Sequence, residues 1–244
     1  MSVPTERSHR FTRLALCFTI VYPSLLTWIY FIYLKDQAST WQLGVYGVGK
    51  VVQFVFPAFF VLWTVGSLPR RPQRPFSGMG PSVLFGLFVL IGMMVLYHFV
   101  FVPLGVFNGP DEQVREKIRD LGLNQLPMYI LMGLFYSLFH SFLEEYYWRW
   151  FVFDKMRDQL PSAGWAIFFS SIGFMAHHVI VVSFYFGATS FVTYLFCAGV
   201  AVGGAVWALL YHHYRSLIGP WVSHAFVDAA IFVIGYFIAR DLFA

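Results

Sequence analysis

Seven long apolar stretches constrain the fold of this chain more than any other feature of its sequence. A helix needs about 20 mainly apolar residues to cross the hydrocarbon core of a bilayer. The stretches that meet this length are residues 13–34, 43–65, 82–107, 126–152, 164–186, 190–211 and 218–239. Only 11% of the residues are charged, whereas soluble domains carry about 25%. We therefore predict an all-α, polytopic membrane bundle of seven or eight transmembrane helices, with the lipid bilayer as its first partner.

The segments between these stretches have the composition of loops, with one exception. Residues 108–125 predict a short surface helix, because Pro110 suits a first helical position and Asp111 favours the positive end of the helix dipole. We expect its apolar stripe to lie on the membrane, and the stripe comprises Val114, Ile118 and Leu121. The third stretch is long enough to contain a break near Pro103, which leaves room for an eighth element.

Two further features concern the spans themselves. The first stretch is too long for the apolar region of a signal peptide, so we expect it to be retained as a span. In the sixth stretch, Gly199 and Gly203 lie four residues apart. Small residues at that spacing let two helix backbones approach closely.

The positions of Lys and Arg predict the orientation, because cytoplasmic loops are enriched in both. With the N-terminus inside, the cytoplasmic segments hold nine of them: Arg7, Arg10, Arg13, Arg70, Arg71, Arg74, Lys155, Arg157 and Arg215. The opposite side then holds five: Lys35, Arg115, Lys117, Arg119 and Arg240. We therefore expect a cytoplasmic N-terminus. Since no basic cluster is interleaved with aromatic residues, we expect no nucleic-acid partner.

The fourth stretch carries charged residues in surroundings where burying a charge is costly. The sequence SFLEEYYWRW, residues 141–150, contains Glu144, Glu145 and Arg149. On an α-helix, Glu145 and Arg149 share a face four residues apart, and an ion pair would lower the cost of burying both. Glu144 is rotated by about 100° and is left to do chemistry. His140, one turn earlier, could hydrogen-bond to it.

The fifth and seventh stretches bring further ionisable groups into the bilayer. GFMAHHVI contains His177 and His178, and GPWVSHAFVDAA places His224 and Asp228 four residues apart on one helix face. A lone membrane residue of this kind is often only a satisfied interhelical hydrogen-bonding group, and we assign Lys50 to that class. Several ionisable groups on three late spans instead indicate a function, which is the default hypothesis for intramembrane charges.

A carboxylate beside histidines, shielded from bulk water, is suited to activating water for hydrolysis. The carboxylate takes a proton as general base, and an imidazole orients the water or relays the proton. Further donors would stabilise the oxyanion of a tetrahedral intermediate. Alternatively, two histidines and a glutamate could bind a divalent metal such as zinc, which lowers the pKa of bound water. Ser141 and Ser223 are nearby, but a serine nucleophile is the weaker interpretation because neither has an evident partner in the sequence.

Three short motifs occur in order on the late spans. EEYYWR (144–149) fits Glu-Glu-x-x-x-Arg, FMAHH (174–178) fits Phe-x-x-x-His, and HAFVD (224–228) fits His-x-x-x-Asn/Asp. In this order they resemble the CPBP family of intramembrane proteases, which includes the type II CAAX prenyl endopeptidases and the bacterial Abi and bacteriocin self-immunity proteins. The resemblance covers about residues 125–240. It divides the chain into N-terminal helices and loops over residues 1–124 and a catalytic core over residues 125–244.

The resemblance implies roles for the residues of these motifs. Glu144 would be the general base, His178 would help to activate water, and His224 and Asp228 would lie near the oxyanion. Two supporting residues would shape the site: Glu145 and Arg149. Position 228 is Asp where the eukaryotic CAAX enzymes have Asn. An ionised Asp cannot donate to an oxyanion, so it would have to be protonated or instead orient His224.

The implied reaction is endopeptidase cleavage of a membrane-associated peptide or protein, with CAAX-type prenylated proteins as one substrate class. We expect a metal-independent, glutamate-driven hydrolysis. A divalent metal such as zinc, if one is used, would be held by Glu144, His178 and His224.

The alternative is a non-catalytic membrane protein that conducts protons or ions, or that binds a partner as immunity proteins do. A conducting path needs polar residues that reach both surfaces. Glu144 and His224 instead lie near the inner ends of their spans, which favours a site open to the cytoplasmic side. His178 fits less well, because it would lie about 21 Å into its span at 1.5 Å per residue.

Overall fold

The computed structural model describes residues 6–68 and 73–243, with side chains from Arg10 onward. Throughout these residues the backbone is helical, turn or irregular, and it contains no strand. Arg70 and Arg71 lie outside the described residues, as does the side chain of Arg7. The orientation that these cations help to predict therefore stays a prediction.

Ten α-helices make up most of the described chain. In order they are α1 (Glu6–Trp28), α2 (Ser39–Val65), α3 (Met79–Leu96), α4 (Pro110–Asp120), α5 (Leu126–Leu134), α6 (Ser141–Glu145), α7 (Asp154–Arg157), α8 (Ala163–Phe186), α9 (Phe191–Tyr214) and α10 (Ile218–Ala239). Four π-helical segments extend or join them: Ile29–Tyr33, Tyr97–Phe101, Phe135–His140 and Tyr146–Phe153. A 3₁₀ turn at Arg240–Phe243 follows α10.

Within the described ranges, seven helical stretches are long and apolar enough to cross a membrane. They are Arg10–Tyr33, Ser39–Val65, Met79–Phe101, Leu126–Arg157, Ala163–Phe186, Phe191–Tyr214 and Ile218–Phe243. The predicted all-α, multi-pass architecture is thereby confirmed. This chain is an integral membrane protein.

The break predicted in the third stretch is also confirmed. The helical span ends at Phe101, and residues 102–109 form successive turns around Pro103. The described residues after the break contain no eighth span, since the next helix, α4, has 11 residues and is too short to cross a bilayer.

The helices form two compact units, each built from two parts of the chain. Unit 1 comprises residues 1–75 and 146–213, and unit 2 comprises residues 76–145 and 214–244. The predicted boundary between residues 124 and 125 concerns family resemblance rather than packing, and it stays a prediction.

A proline in α1 shapes the core of unit 1. Pro23 has no N–H group, so the carbonyl of Thr19, four residues earlier, loses its helical donor. The hydroxyl of Tyr147 donates to that carbonyl at 2.7 Å. Tyr147 and Pro23 are both fully buried, so a side chain of the fourth span completes the backbone hydrogen bonding of the first.

Aromatic packing surrounds this hydrogen bond. Phe151 meets the rings of Phe56 and Phe60 of α2 edge to face, with centroids 6.2 and 5.7 Å apart. Trp148 packs on α8 at Gly173, where a built Cβ would lie 3.0 Å from the indole. The residues from Tyr147 to Phe153 are therefore the centre of unit 1.

The close helix approach predicted at Gly199 and Gly203 is wrong. A Cβ built at Gly199 would meet no atom of the described residues within 4 Å, and one at Gly203 would first meet Trp207 of its own helix. The approach is at Gly204 instead, where a Cβ would lie 3.5 Å from the Cα of Ser171 in α8. Gly199 lies on an exposed face of α9 and Gly204 on a buried one, and sequence spacing alone does not tell the faces apart.

In unit 2, α10 packs along α3. At Gly86 of α3, a built Cβ would lie only 2.9 Å from the Cα of Ser223 in α10. At Gly219 of α10, a built Cβ would lie 2.5 Å from the hydroxyl of Ser82, which in turn donates to the carbonyl of Gly78 at 2.7 Å. Glycine on both helices therefore allows their backbones to come close.

The surface helix α4 forms as predicted, but its apolar stripe does not lie on the membrane. Ile118 is buried, with Val114 and Leu121 partly buried, in a cluster that includes Tyr129 and Ala239. The expectation of a membrane-facing stripe is therefore wrong. The sequence shows the stripe, but not that the ends of α5 and α10 provide a protein surface for it.

Candidate active site

Glu144 and Glu145 lie at the end of the short helix α6, with a π-helical segment on either side. Single π-helical turns are often found at functional sites. Glu144 is 4% exposed and Glu145 is 0% exposed. The hydroxyl of Ser141, at the start of α6, donates to the carbonyl of Ser137 at 2.6 Å and is thus engaged within its own helix.

Glu145 hydrogen-bonds to His224 of α10. The Nδ1 atom of His224 lies 2.8 Å from the Oε1 atom of Glu145. An ionised carboxylate can only accept, so with an ionised Glu145 the imidazole donates its Nδ1–H. This bond fixes the orientation of the ring and directs its Nε2 atom elsewhere. His224 is itself only 4% exposed.

The Nε2 atom of His224 faces two more carboxylates. It lies 3.8 Å from Oε2 of Glu144 and 3.6 Å from Oδ1 of Asp228. Both distances exceed those of direct hydrogen bonds, but they are short enough for strong charge interactions in a buried setting. We call these four residues (Glu144, Glu145, His224 and Asp228) the His224 cluster.

His140 lies on the other side of Glu144. Its Nε2 atom is 3.8 Å from the second oxygen of Glu144, Oε1. The hydrogen bond expected from the sequence is therefore not formed at this separation, although the two groups are at ion-pair distance. Each oxygen of Glu144 thus has one imidazole nearby.

The first turn of α10 is held in place close to His224. Pro220 lies in the first turn of α10, where its missing N–H is tolerated. One turn before His224, the indole of Trp221 donates to the carbonyl of Leu138 at 2.8 Å. This bond ties α10 to the π-helical segment that precedes Glu144.

His178 and His177 lie in α8, in unit 1. The Nδ1 atom of His178 lies 2.9 Å from the carbonyl oxygen of Phe174. A carbonyl only accepts, so Nδ1 carries the hydrogen, and Nε2 is the acceptor nitrogen of the neutral ring. His177 is stacked on Trp148, with ring centroids 5.9 Å apart and planes 7° apart, which suits a structural role.

The depth of His178 follows from the bounds of its helix. The helix α8 begins at Ala163, one residue before the predicted start of the fifth span. His178 therefore lies about 22 Å along α8 at 1.5 Å per residue.

Arg149, also in unit 1, is held by two aromatic rings. Its guanidinium carbon lies 4.7 Å from the ring centre of Phe174 and 5.1 Å from that of Trp207. Its Nη2 atom donates to the carbonyl of Gly204 at 3.4 Å, and the residue is 2% exposed. Arg149 therefore joins the fourth span to α8 and α9.

The predicted pairing of Arg149 with Glu145 assumed α-helical spacing throughout. The residues that follow Glu145 are π-helical, from Tyr146 to Phe153, and hydrogen bonding there runs from i to i+5. The α-helical spacing on which the predicted pair rests therefore does not continue through this segment, and the pairing of Glu145 with Arg149 stays a prediction.

The structure thus brings four of the six predicted site residues together in unit 2, as the His224 cluster. The other two, His178 and Arg149, lie in unit 1, and their roles beside Glu144 and Glu145 stay predictions. Sequence analysis missed the bond between His224 and Glu145 and the ring of Trp207 over Arg149. Neither has a sequence signal, because each joins residues from distant parts of the chain.

A metal site can be tested against the donors present. Among the described residues, no group of three or more His, Cys, Asp or Glu side chains is placed to hold a metal ion. Catalytic zinc uses three protein ligands and a water. Of the predicted donors, unit 2 supplies Glu144 and His224, and His178 belongs to unit 1.

Comparison with protein families supports the interpretation of the motifs. Residues 126–230 match the family described as Rce1-like, type II CAAX prenyl endopeptidase. The match includes all six predicted site residues and ends shortly after Asp228. No match is found among curated proteins or among solved structures. The family resemblance drawn from the three motifs is thereby confirmed over residues 126–230, which are similar to the Rce1-like family of type II CAAX prenyl endopeptidases.

Proposed function

We propose that this protein is an intramembrane endopeptidase that hydrolyses peptide bonds of membrane-associated proteins, CAAX-type prenylated proteins among them. The observation that carries the proposal is the His224 cluster. It places the carboxylate of Glu144 3.8 Å from an imidazole, in a buried position and within the segment that matches the protease family.

In the proposed reaction, Glu144 takes a proton from a water molecule, whose oxygen attacks the scissile carbonyl carbon. The resulting tetrahedral intermediate carries its negative charge on the former carbonyl oxygen. As the carbon–nitrogen bond breaks, Glu144 returns its proton to the leaving nitrogen. The products are a new carboxyl group and a new amine, and the base is regenerated.

We assign the two histidines different tasks. The Nε2 atom of His178, with its Nδ1–H committed to the carbonyl of Phe174, would accept a hydrogen bond from the attacking water and orient it. His224 donates Nδ1–H to Glu145, and in its imidazolium form it would donate Nε2–H to the oxyanion. Glu145 is thus the residue that orients His224.

Asp228 is assigned to His224 rather than to the oxyanion. An ionised carboxylate has no hydrogen to donate. Its distance of 3.6 Å from the Nε2 atom of His224 suits it to stabilise positive charge on the imidazole. Asp228→Asn would exchange that charge for an amide donor and bring the chain closer to the eukaryotic pattern.

The proposed hydrolysis is metal-independent, and no step above uses a metal. A divalent ion such as zinc would supply Lewis-acid activation of water, but the three donors expected for it (Glu144, His178 and His224) are not placed as a metal-holding group among the described residues. Cleavage that survives exhaustive chelation supports the metal-independent route. Cleavage that is lost on chelation and restored by zinc contradicts it.

We further propose that the N-terminus is cytoplasmic and that the active site opens to the cytoplasmic side. The test is labelling of single cysteines from each side of the membrane, in a background that lacks Cys17 and Cys197. With this orientation, Gln73→Cys is labelled from the cytoplasmic side. Labelling of that residue only from outside contradicts the topology.

The test of the proposed function is Glu144→Gln, which keeps the shape of the side chain and removes the proton acceptor. Purified protein in liposomes receives two fluorogenic peptides, one farnesylated CAAX peptide and its unprenylated counterpart. General-base assistance contributes about 10²–10⁴-fold, so cleavage should fall by that factor while the protein remains folded. The matched control is Glu116→Gln, the same change at an exposed position of α4.

The outcomes separate the two functional classes. Cleavage by the parent that is lost in Glu144→Gln and kept in Glu116→Gln supports the protease. Near-parental cleavage by Glu144→Gln overturns the assignment of Glu144 as the base. A parent that cleaves neither peptide but passes protons or ions across the liposome, with the flux lost in Glu144→Gln, favours the conducting alternative.

A further inference from the structure

Within unit 2, the backbone of α10 lies against α3 beside the His224 cluster. A Cβ built at Gly86 of α3 would lie 2.9 Å from the Cα and 3.0 Å from the carbonyl oxygen of Ser223. It would also lie 2.8 Å from a ring carbon of Phe226. The two atoms of Ser223 belong to the helix backbone, so they can move only if α10 moves. Any residue larger than Gly at position 86 therefore has to move α10 and α3 apart.

The residue that this displacement would affect first is His224, the next in the chain. Its Nδ1 atom is 2.8 Å from Glu145, in the middle of the distance range for a hydrogen bond. One turn earlier, Trp221 is bonded to the carbonyl of Leu138. Contacts on two sides thus hold α10, and a shift imposed at Gly86 would be transmitted to the imidazole.

We infer that Gly86 is a positioning residue for His224. Its lack of a side chain sets the separation of α3 and α10 at which His224 reaches Glu145 and faces Glu144. Gly86 lies outside residues 126–230, the segment matched by the family, and it belongs to none of the three motifs. The catalytic consequence rests on the proposed function, whereas the geometric consequence does not.

Two other glycines of α3 provide matched controls. A Cβ built at Gly80 or Gly92 would meet no atom of the described residues within 4 Å. Gly→Ala at these positions changes the same helix by the same atom and raises its helix propensity. Any general effect of replacing glycine in α3 therefore appears in Gly80→Ala and Gly92→Ala as well as in Gly86→Ala.

The first measurement is cleavage of the two fluorogenic peptides by the full chain in liposomes. Misplacing a catalytic group by about 1 Å can lower a rate by about 10²-fold. We expect Gly86→Ala to lower kcat by about 10-fold to 10²-fold with KM unchanged, because His224 acts on the reacting atoms. Gly80→Ala and Gly92→Ala should keep both parameters.

The second measurement reports on His224 without any activity. In protein with ¹⁵N-labelled histidine, the Nδ1–H that donates to Glu145 gives a resonance, and its loss in His224→Gln assigns it. We expect this resonance to shift or broaden in Gly86→Ala and to remain in place in Gly80→Ala and Gly92→Ala. A purely structural role of Gly86, remote from His224, leaves the resonance unchanged.

A second pair of variants, Gly219→Ala with and without Ser82→Gly, tests the inference if Gly86→Ala does not fold. A Cβ at Gly219, in the first turn of α10, would lie 2.5 Å from the hydroxyl of Ser82 and 3.4 Å from its Cβ. Gly219→Ala should therefore also shift the His224 resonance and lower kcat. Adding Ser82→Gly removes these two atoms, leaves only the carbonyl oxygen of Gly78 at 3.4 Å, and should restore both values.

The results decide the inference in each case. A lower kcat with an altered resonance in Gly86→Ala, or in Gly219→Ala with rescue by Ser82→Gly, supports it. If Gly86→Ala and Gly219→Ala fold and both keep the parental kcat and an unaltered His224 resonance, the inference is wrong. If the parent cleaves neither peptide, the proposed function fails, and the resonance alone still decides whether Gly86 positions His224.

Discussion

The Nδ1 atom of His224 lies 2.8 Å from a carboxylate oxygen of Glu145. The sequence predicts an ion pair between this glutamate and Arg149. The neighbouring Glu144 lies 3.8 Å from the other nitrogen of the same ring. Adjacent glutamates thus meet opposite sides of one imidazole. Glu145 fixes the ring by a hydrogen bond, and Glu144 lies beyond direct hydrogen-bonding distance.

This arrangement predicts different consequences for two substitutions of Glu145. Glu145→Gln keeps an oxygen that can accept from His224, so the fold should be retained while loss of the charge lowers kcat. Glu145→Ala leaves a buried donor without an acceptor, which costs about 1–3 kcal/mol. Thermal unfolding in detergent and peptide cleavage measure the two effects. Equal stability of the Ala and Gln variants contradicts an orienting hydrogen bond.

A second prediction concerns the combination of substitutions. Groups that act as one catalytic unit are not additive. We expect Glu144→Gln, His178→Ala and His224→Ala each to lower kcat/KM by a comparable factor, about 10²–10⁴. Each histidine variant combined with Glu144→Gln should lose little more than Glu144→Gln alone. Losses that multiply in the double variants would show that these residues act independently, and the mechanism proposed here would then fail.

Hydropathy was sufficient to predict the seven spans, because a bilayer requires each helix to be long, apolar and internally hydrogen-bonded. The break at Pro103 was predictable for the same kind of local reason, since proline cannot continue a helix. Glu144, His224 and Asp228 were found because ionisable groups stand out in an apolar segment, and the structure places them in one cluster.

The wrong and missing predictions concern features that depend on which helices pack against each other. Gly199 and Gly204 look alike in the sequence, but only Gly204 faces another helix, because burial depends on the neighbours of α9. The stripe around Ile118 fits a membrane surface as well as it fits α5 and α10. The π-helical segment after Glu145 changes which positions are neighbours, and residue spacing assumed to be α-helical does not reveal it.

Arg149 provides a third prediction, in unit 1. Its guanidinium lies between the rings of Phe174 and Trp207, an arrangement that planar Arg fills better than Lys. A buried cation–π contact contributes about 2 kcal/mol, and loss of the proposed ion pair with Glu145 would cost about 3–5 kcal/mol. Arg149→Ala should therefore lower both the folded yield and the activity. Arg149→Lys should give values of both between those of Arg149→Ala and the parent.

The matched control for Arg149 is Arg157→Ala, the same change in α7 at a partly exposed position. It should leave yield and cleavage close to parental. Arg149→Ala that is fully stable but inactive would instead give Arg149 a direct role towards the substrate.

The fourth prediction is a pH dependence of α4. Arg115 lies 2.9 Å from Asp111, and its hydrogen bond holds the pKa of that carboxyl below its usual value. A folded-state pKa below the unfolded one stabilises the fold above the unfolded pKa, about 3.9. That contribution is lost as the pH falls through the lowered folded value.

We therefore expect the docking of α4 to be constant from about pH 8 to pH 5 and to weaken only below about pH 4. Hydrogen–deuterium exchange of the α4 amides, corrected for intrinsic exchange rates, measures it. Asp111→Asn should raise exchange at neutral pH and remove the acid transition. An acid transition that persists unchanged in Asp111→Asn must arise from other carboxylates.

The last prediction tests the proline in α1. Tyr147 donates to the carbonyl of Thr19 at 2.7 Å, the carbonyl from which Pro23 withholds a helical donor. Tyr147→Phe leaves that buried carbonyl without its hydrogen bond, and unfolding should become about 1–3 kcal/mol more favourable. Pro23→Ala restores an N–H at the position that can reach Thr19. It should therefore reduce the loss caused by Tyr147→Phe when the two changes are combined.

The double-mutant cycle separates this hydrogen bond from packing. Thermal unfolding of the parent, the two single variants and the double variant gives a coupling free energy for Tyr147 and Pro23. The matched control is Tyr194→Phe, which removes a hydroxyl from an exposed tyrosine of α9 and should change stability little. A Tyr147→Phe penalty that Pro23→Ala does not reduce would mean that the hydroxyl stabilises unit 1 in some way other than by completing the first span.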